Sequence, residues 1–296
     1  MNKILISLFL MSLLIAFTNC DNDKKTEVPF PSQISDIKTE PRVGGVLLSW
    51  DIPQDSNYFY VQTRYEKNGR TIKTNSSIFT DSVVIGGLLN KFEYVFEVQA
   101  FNEDLVGNEV LTTSAVRPIR RGKDITYQPE SNVDIELTDD MIDTYTQESS
   151  EGPKKNLLDG NINSYWHTAW SSGVAPLPHW IQINFDEPTE IGGMRYTFRQ
   201  NGDENGRPSQ WDLQVSDDGN AWTTVWTSEE NLPTSPVAST QTLLFGEREN
   251  FSSQYFRLRI LANPGNRTYT HLSTISIFKK GLSVVDLEEE AERNYQ

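Results

Sequence analysis

Apolar residues in this chain recur with a period of two, in short runs broken by Gly, Pro, Asn and Asp, from Val46 to Phe278. That period lets a backbone present one apolar face as a β-strand, whereas an amphipathic helix needs spacings of three and four. Residues 46–50, 58–65, 81–89 and 94–100 make a first set of runs. The second of these leads into Asn68-Gly69, a dipeptide that accepts the positive φ of a tight hairpin. Residues 180–185, 191–199, 211–215, 221–226, 240–245, 255–261 and 272–278 make a second set. Helical character is confined to residues 286–293, in an acidic C-terminal stretch. The fold class expected is therefore all-β, with two sandwiches in series.

A length of 296 residues accommodates two ordinary domains. Six of the seven tryptophans and all three histidines lie beyond residue 131, which separates the two strand sets by composition as well as by position. Between them, Arg117, Arg120, Arg121 and Lys123 with Pro118, Gly122 and Pro129 read as a solvated linker over residues 121–130. The boundaries expected are a first domain over 29–120, a second over 131–280 and an acidic tail over 281–296. Whether that tail binds a partner or only solvates the C-terminus stays open. With 41 acidic against 26 basic residues the net charge is −15, which repels phosphate backbones and excludes nucleic acid as a partner.

Residues 1–20 place Lys3 before an apolar run from Ile4 to Phe17, too short for the roughly 20 residues of a bilayer span. The run has the length of a signal h-region. Phe17-Thr18-Asn19-Cys20 resembles a relaxed bacterial lipobox, and Cys20 is the chain's single cysteine. The resemblance implies a diacylated Cys20, a polar tether over 21–28 and a lipid-anchored protein of the outer membrane or cell surface.

In the first domain, Leu48-Ser49-Trp50 with Pro53, Gly87-Leu88, and Tyr94 with Phe96, Val98 and Ala100 resemble a fibronectin type III module, an immunoglobulin-like sandwich. The resemblance makes Trp50 a core residue and Tyr94 a corner residue, and implies a spacer or adhesion unit.

The second domain opens with Asn156-Leu157-Leu158-Asp159-Gly160-Asn161 and Ser164-Tyr165-Trp166-His167-Thr168. Pro178-His179-Trp180-Ile181-Gln182-Ile183, Arg195-Tyr196-Thr197-Phe198-Arg199-Gln200, Asn205-Gly206-Arg207 and residues 215–222 follow in order. Together these six motifs resemble the coagulation factor 5/8 type C (discoidin) family, which overlaps with the family 32 carbohydrate-binding modules. The fold implied is a galactose-binding-like jelly roll. The resemblance also implies a structural Ca2+ ion, with Asp159 and Ser164 as side-chain ligands and backbone oxygens near Asn156, Asn161 and Ser273. Thr274 stands where the family often has Glu, which removes a carboxylate from that site. For the ligand, the family's positions fall on His167, Trp170, Arg199 and Asn205, with Tyr269 as the aromatic that faces a sugar ring.

The chemistry is coherent on its own terms. Imidazole and guanidinium donate to hydroxyls such as an axial O4, Asn offers a donor and an acceptor, and an aromatic ring covers the C–H face of a pyranose. Trp166, Trp180, Trp211 and Trp222 read as core, His179 as structural, and His271 as either loop scaffold or site rim. The function expected is non-catalytic capture of a glycan or polysaccharide with galactose-type termini, for uptake or degradation beside outer-membrane glycan-uptake proteins. The alternative is an adhesin or scaffold gripping a host protein or a phospholipid. Glycoside hydrolysis needs two carboxylates facing across a sugar. The acidic pairs Asp139-Asp140, Asp217-Asp218 and Glu229-Glu230 fall on turns and loops instead, so no enzyme is expected.

Overall fold

The structure is a computed structural model and describes residues 30–52 and 57–295. The signal segment 1–20 with Cys20, and the tether 21–28, lie outside the described residues. Two compact units divide the rest: residues 30–122 with 286–295, and residues 123–285.

The first unit contains β1 (Ser35–Arg42), β2 (Gly45–Asp51), β3 (Tyr60–Lys67), β4 (Arg70–Ser77), β5 (Ser82–Gly86), β6 (Phe96–Phe101) and β7 (Leu111–Thr112). They form two antiparallel sheets, β1-β2-β5 and β4-β3-β6-β7. The period-two pattern sets which side chains meet between them. Val46, Leu48 and Trp50 of β2 face Val61 and Tyr65 of β3 and Phe96, Val98 and Ala100 of β6 in one buried cluster. Asn68 and Gly69 take φ of 49° and 72°, the positive values of the tight hairpin that joins β3 to β4. Tyr94 is buried, and its hydroxyl accepts the Leu89 amide at 3.0 Å, closing the chain segment ahead of β6.

This unit departs from the expected boundaries at both ends. The basic stretch is not a free linker, and the acidic tail is not free either, because the two bind each other. The segment 287–293 forms helix α1 (Leu287–Arg293), and Asp286 caps it by accepting the amides of Glu288 and Glu289. Glu288 is 3% exposed and accepts from Asn90 N at 2.7 Å, Arg121 N at 3.1 Å and Arg121 Nη1 at 2.8 Å. Burial raises the Glu288 carboxyl, but the Asn90 and Arg121 amides and the Arg121 guanidinium outweigh it and hold the group below its ordinary value. Arg120 pairs with Asp286 at 2.7 Å, Lys91 with Glu292 at 3.1 Å, and Tyr295 Oη meets Tyr94 Oη at 2.8 Å.

The second unit contains β8 (Lys123–Tyr127), β9 (Val133–Ile135), β10 (Ile142–Thr144), β11 (Trp166–His167), β12 (His179–Ile191), β13 (Gly193–Thr197) and β14 (Gln210–Ser216). It continues with β15 (Thr223–Thr227), β16 (Gln241–Leu244), β17 (Phe251–Ala262), β18 (His271–Leu272), β19 (Thr274–Lys279) and β20 (Leu282–Asp286). A five-stranded sheet β10-β12-β17-β14-β15 and a four-stranded sheet β16-β13-β19-β9 enclose the core. The ribbons β11-β18 and β8-β20 complete it, so residues 123–127 of the expected linker are a strand. Trp166, Trp211, Tyr196, Phe198, Phe245 and Phe256 are fully buried there. Trp180 and Trp222 are not core, because β12 points Ile181 and Ile183 inward and Trp180 outward. Arg257 lies between the two indoles, 4.4 Å from the Trp180 ring and 3.9 Å from Trp222. Pro188 does not end β12; the register slips between Asn184 and Thr189, which accommodates the missing amide. No helix among the described residues is long and apolar enough to cross a membrane.

Candidate functional site

The short ribbon β11-β18 places His167 directly opposite His271. Thr168 and Thr270 extend the pairing: Thr168 N donates to Thr270 O at 3.0 Å, and Thr270 N donates to Thr168 Oγ at 2.9 Å. Around these two imidazoles a cavity of about 280 Å³ opens, lined also by Glu151, Trp170, Arg199, Asn201, Gly202, Asp203 and Tyr269. That volume sits at the small end of ligand clefts, which run from about 300 to 1,000 Å³, and suits one ring rather than several.

Hydrogen bonds fix the state of both histidines. His167 Nδ1 lies 2.7 Å from the Thr168 carbonyl, so Nδ1 carries the proton and Nε2 is left as an acceptor. The expected imidazole donor is thus an acceptor, because a carbonyl already takes the ring N–H. His271 Nε2 donates to the Asp203 carbonyl at 3.1 Å, and its buried Nδ1 has no partner. Burial lowers both groups from their ordinary value and, with smaller contributions from the neighbouring His167 and Arg199, pushes His271 down to about 4. Arg199 lays its guanidinium 3.5 Å from the centre of the Tyr165 ring, and its buried Nε has no partner.

Two carboxylates brace the aromatic walls. Glu151 accepts the Trp170 indole N–H at 3.0 Å and the Tyr165 hydroxyl at 2.5 Å. Asp203 accepts the Tyr269 hydroxyl at 2.7 Å and the Asn205 amide at 3.1 Å. The hydroxyl of Tyr165 is the main cause that lowers Glu151, and that of Tyr269 the main cause that lowers Asp203 to about 2. Beneath them Glu148 is buried and accepts from Trp170 N at 3.1 Å, Ser171 N at 3.0 Å and Ser171 Oγ at 2.8 Å. Led by the Trp170 amide, these donors hold Glu148 well below the usual carboxylate range.

His167, Trp170, Arg199 and Tyr269 therefore converge, as do His271, Glu151, Asn201, Gly202 and Asp203. Asn205 does not line the cavity; its side chain turns back to Asp203 at 2.9 Å. The aromatic roles also shift. Tyr269 is half-buried and rests its ring 5.5 Å from His167 and 6.5 Å from His271, while Trp170 is 51% exposed and offers the free indole surface. Glycines hold the walls close: a Cβ on Gly202 would lie 2.5 Å from His271 Cε1, and one on Gly206 2.8 Å from the Tyr269 ring. Glu148, Glu151 and Asp203 carry no sequence signal beyond acidity, and only the spacing Glu148-Ser149-Ser150-Glu151 ahead of Gly152 could have marked the first two.

The second expected site is the loop 156–164. Asp159 accepts from Asn161 N at 2.8 Å and from Ser164 Oγ at 2.7 Å, and that hydroxyl also lies 2.8 Å from Asn161 O. These oxygens are hard donors of the kind calcium takes, with Asp159 supplying the single charge. Asn156 Nδ2 donates to Tyr165 O at 3.0 Å. Ser273 Oγ lies 2.8 Å from Ile162 O and 3.1 Å from Phe198 O, and Thr274 sits in register with Thr197 between β13 and β19. No group of three or more His, Cys, Asp or Glu side chains converges as metal ligands among the described residues.

Residues 142–274 match the family described as the F5/8 type C domain. Residues 31–118 match a domain of unknown function, DUF4959. The F5/8 type C match falls within the second unit, residues 123–285. Over 142 residues the chain is 28% identical to a sialidase of Micromonospora viridifaciens, covering 46% of this chain and 20% of that protein. Over 88 residues it is 39% identical to the A type blood N-acetyl-alpha-D-galactosamine deacetylase of Flavonifractor plautii, covering 30% and 10%. The chain thus spans a fifth or less of the length of these curated relatives. Among solved structures, CpGH89CBM32-5 from Clostridium perfringens, in complex with GalNAc-beta-1,3-galactose, is 27% identical with a TM-score of 0.38, covering 46% of this chain and 92% of that one.

Proposed function

We propose that the second unit captures glycans with galactose-type termini and makes or breaks no bond. The observation that carries this reading is the cavity at the β11-β18 ribbon, where an acceptor (His167 Nε2), a guanidinium (Arg199) and an exposed indole (Trp170) converge on space for one ring. An axial O4 leaves the opposite ring face as a continuous C–H surface, so one sugar stacks on an indole while its O4 meets polar groups. Arg199 donates to O4, and His167 Nε2 accepts from a hydroxyl next to it. A shallow site with one stacked ring binds in the millimolar to high-micromolar range, roughly −4 to −6 kcal/mol.

The loop 156–164 in this reading holds calcium through Asp159, Ser164 and the backbone oxygens near Asn156 and Asn161, and the ion stiffens the loop. Cys20 carries the lipid anchor that keeps the glycan site at the cell surface, beside the proteins that take glycans up. The first unit serves as a fibronectin type III-like spacer, in keeping with its three-plus-four sheets.

A glycan array probed with residues 26–296, wild type against His167→Ala and Arg199→Ala, tests the central claim. Binding to galactose-type termini that both substitutions abolish is the expected result. A folded protein that binds no glycan overturns it and moves the weight to a protein-binding scaffold. Loss of detergent-phase partitioning in Cys20→Ala tests the anchor.

A further inference from the structure

The glycan cavity carries more negative than positive charge, although the residues expected to grip a sugar include an arginine. Its lining contains two carboxylates, Glu151 beside Trp170 and Asp203 beside Tyr269, and one guanidinium, Arg199. The hydrogen bonds that lower Glu151 and Asp203 keep both ionised near neutral pH, and burial keeps His167 and His271 uncharged. The groups behind the lining do not reverse the balance. Glu148 adds a carboxylate under Trp170, and Arg267 touches Asp203 from outside at 3.5 Å, so one cation and one anion are added together. Arg207 is matched by Glu204 at 3.5 Å. Arg199 is itself drawn toward Glu151, to which Tyr165 links it: the guanidinium covers the Tyr165 ring and the Tyr165 hydroxyl donates to Glu151. Two polar atoms of the lining residues, His271 Nδ1 and Arg199 Nε, are buried there without a partner.

Building on the galactoside reading above, we infer that Glu151 and Asp203 make the cavity selective by charge: it takes neutral and amino sugars and rejects sugars that carry a carboxylate, such as uronic and sialic acids. Each carboxylate does two things at once. It holds an aromatic wall through one hydrogen bond, and its charge stands in the space a ligand enters. An anionic sugar adds a negative charge to walls whose carboxylates already outnumber their guanidiniums by one, and loses the water that screened it. A protonated 2-amino group meets the opposite balance. One uncompensated unit charge at a few ångströms costs an acidic sugar roughly tenfold in affinity.

Titration calorimetry at pH 7 with the full chain tests this, using methyl galactoside, N-acetylgalactosamine, galactosamine and methyl galacturonide at about 0.01 M and about 1 M salt, where the screening length falls from roughly 30 to 3 Å. The expected order at low salt is galactosamine tightest, the two neutral sugars together, and the galacturonide about tenfold weaker or more. High salt should shrink that ratio. In the double variant Glu151→Gln, Asp203→Asn, which keeps acceptors for the Trp170 N–H and the Tyr269 hydroxyl, the galacturonide-to-galactoside ratio should fall to about one or below. Galacturonide bound as well as galactoside by wild type overturns the inference. So does a ratio that neither salt nor the double variant changes, since that marks a steric cause. Wild type that binds none of the four sugars overturns the galactoside reading itself, and this inference with it.

Discussion

Two polar clusters with similar composition behave differently in this protein. In the first unit, Glu288 is buried against Asn90 and Arg121, and both of its oxygens meet amide or guanidinium donors of the surrounding chain. In the second unit, His167, Arg199, His271, Glu151 and Asp203 gather as closely, yet Arg199 Nε and His271 Nδ1 have no partner, and the cluster opens on a cavity. A buried polar group without a hydrogen bond costs free energy, and in the second cluster two such atoms belong to residues that line a cavity a ligand can enter. The contrast between clamp and site lies in the cavity, since buried polar atoms without partners, Trp50 Nε1 and Thr63 Oγ1, also occur in the first unit. Each half of it can be broken separately.

The largest effect is expected in the clamp. Glu288→Ala takes the carboxylate from the half-buried Arg121 guanidinium and the acceptor from the Asn90 and Arg121 amides, and should destabilise the first unit by about 3–5 kcal/mol. Urea unfolding reads the loss, and glycan binding by the second unit should persist. Next comes pH. His271 titrates near 6.5 when unfolded and near 4 in the fold, so the unfolded chain binds the extra proton between those values. Stability from this group is therefore full above about pH 6.5 and falls as pH drops toward 4, by on the order of 3 kcal/mol. Thermal melts of wild type and His271→Gln across that window should differ in slope.

Smaller effects belong to the ligand. His167→Ala or Arg199→Ala should each cost about 2 kcal/mol of galactoside affinity, roughly 30-fold, with melting behaviour little changed. Trp170→Ala should cost about 1 kcal/mol, since it removes the stacking face while Glu151 keeps the Tyr165 hydroxyl as a partner. Smallest is calcium: with a single carboxylate in the 156–164 loop, a chelator should lower the melting temperature by no more than about 2–4 °C, corresponding to roughly 1 kcal/mol or less. A larger shift would assign that loop a tightly held ion and remove it from the class of self-closed turns.

Much of the architecture was readable because it is local. The hairpin at Asn68-Gly69 and the alternation in β12 and β17 follow from a period of two and from turn chemistry, whereas the core position of Trp50 is what the fibronectin type III resemblance implies. The errors also have a common cause. Trp180 and Trp222 read as core because they sit within or beside strands, but which face of a strand is covered is settled by its neighbours, and Arg257 of β17 stacks on both rings. Residues 117–123 and 286–293 read as solvated charge in isolation. They are partners across 167 positions in the case of Arg121 and Glu288, a separation that no local pattern reports.

The candidate site divides in the same way. His167, Trp170, Arg199 and Tyr269 stand out in the sequence because they fall at positions of an ordered motif set. Glu151 and Asp203 do not, since a carboxylate on a loop has no signature until its partner is in place. By itself, the sequence determined the all-β class, the two sandwiches and the segments that carry aromatic and basic groups into the loops, because those depend on residues within one strand or turn of each other. The tertiary structure alone decided that His167 faces His271, that its Nδ1–H donates to Thr168 O, that Asn205 turns away, and that two carboxylates stand in the cavity. Such facts depend on pairing between loops about 100 residues apart, where hydrogen-bond satisfaction and burial, not neighbouring sequence, set the outcome.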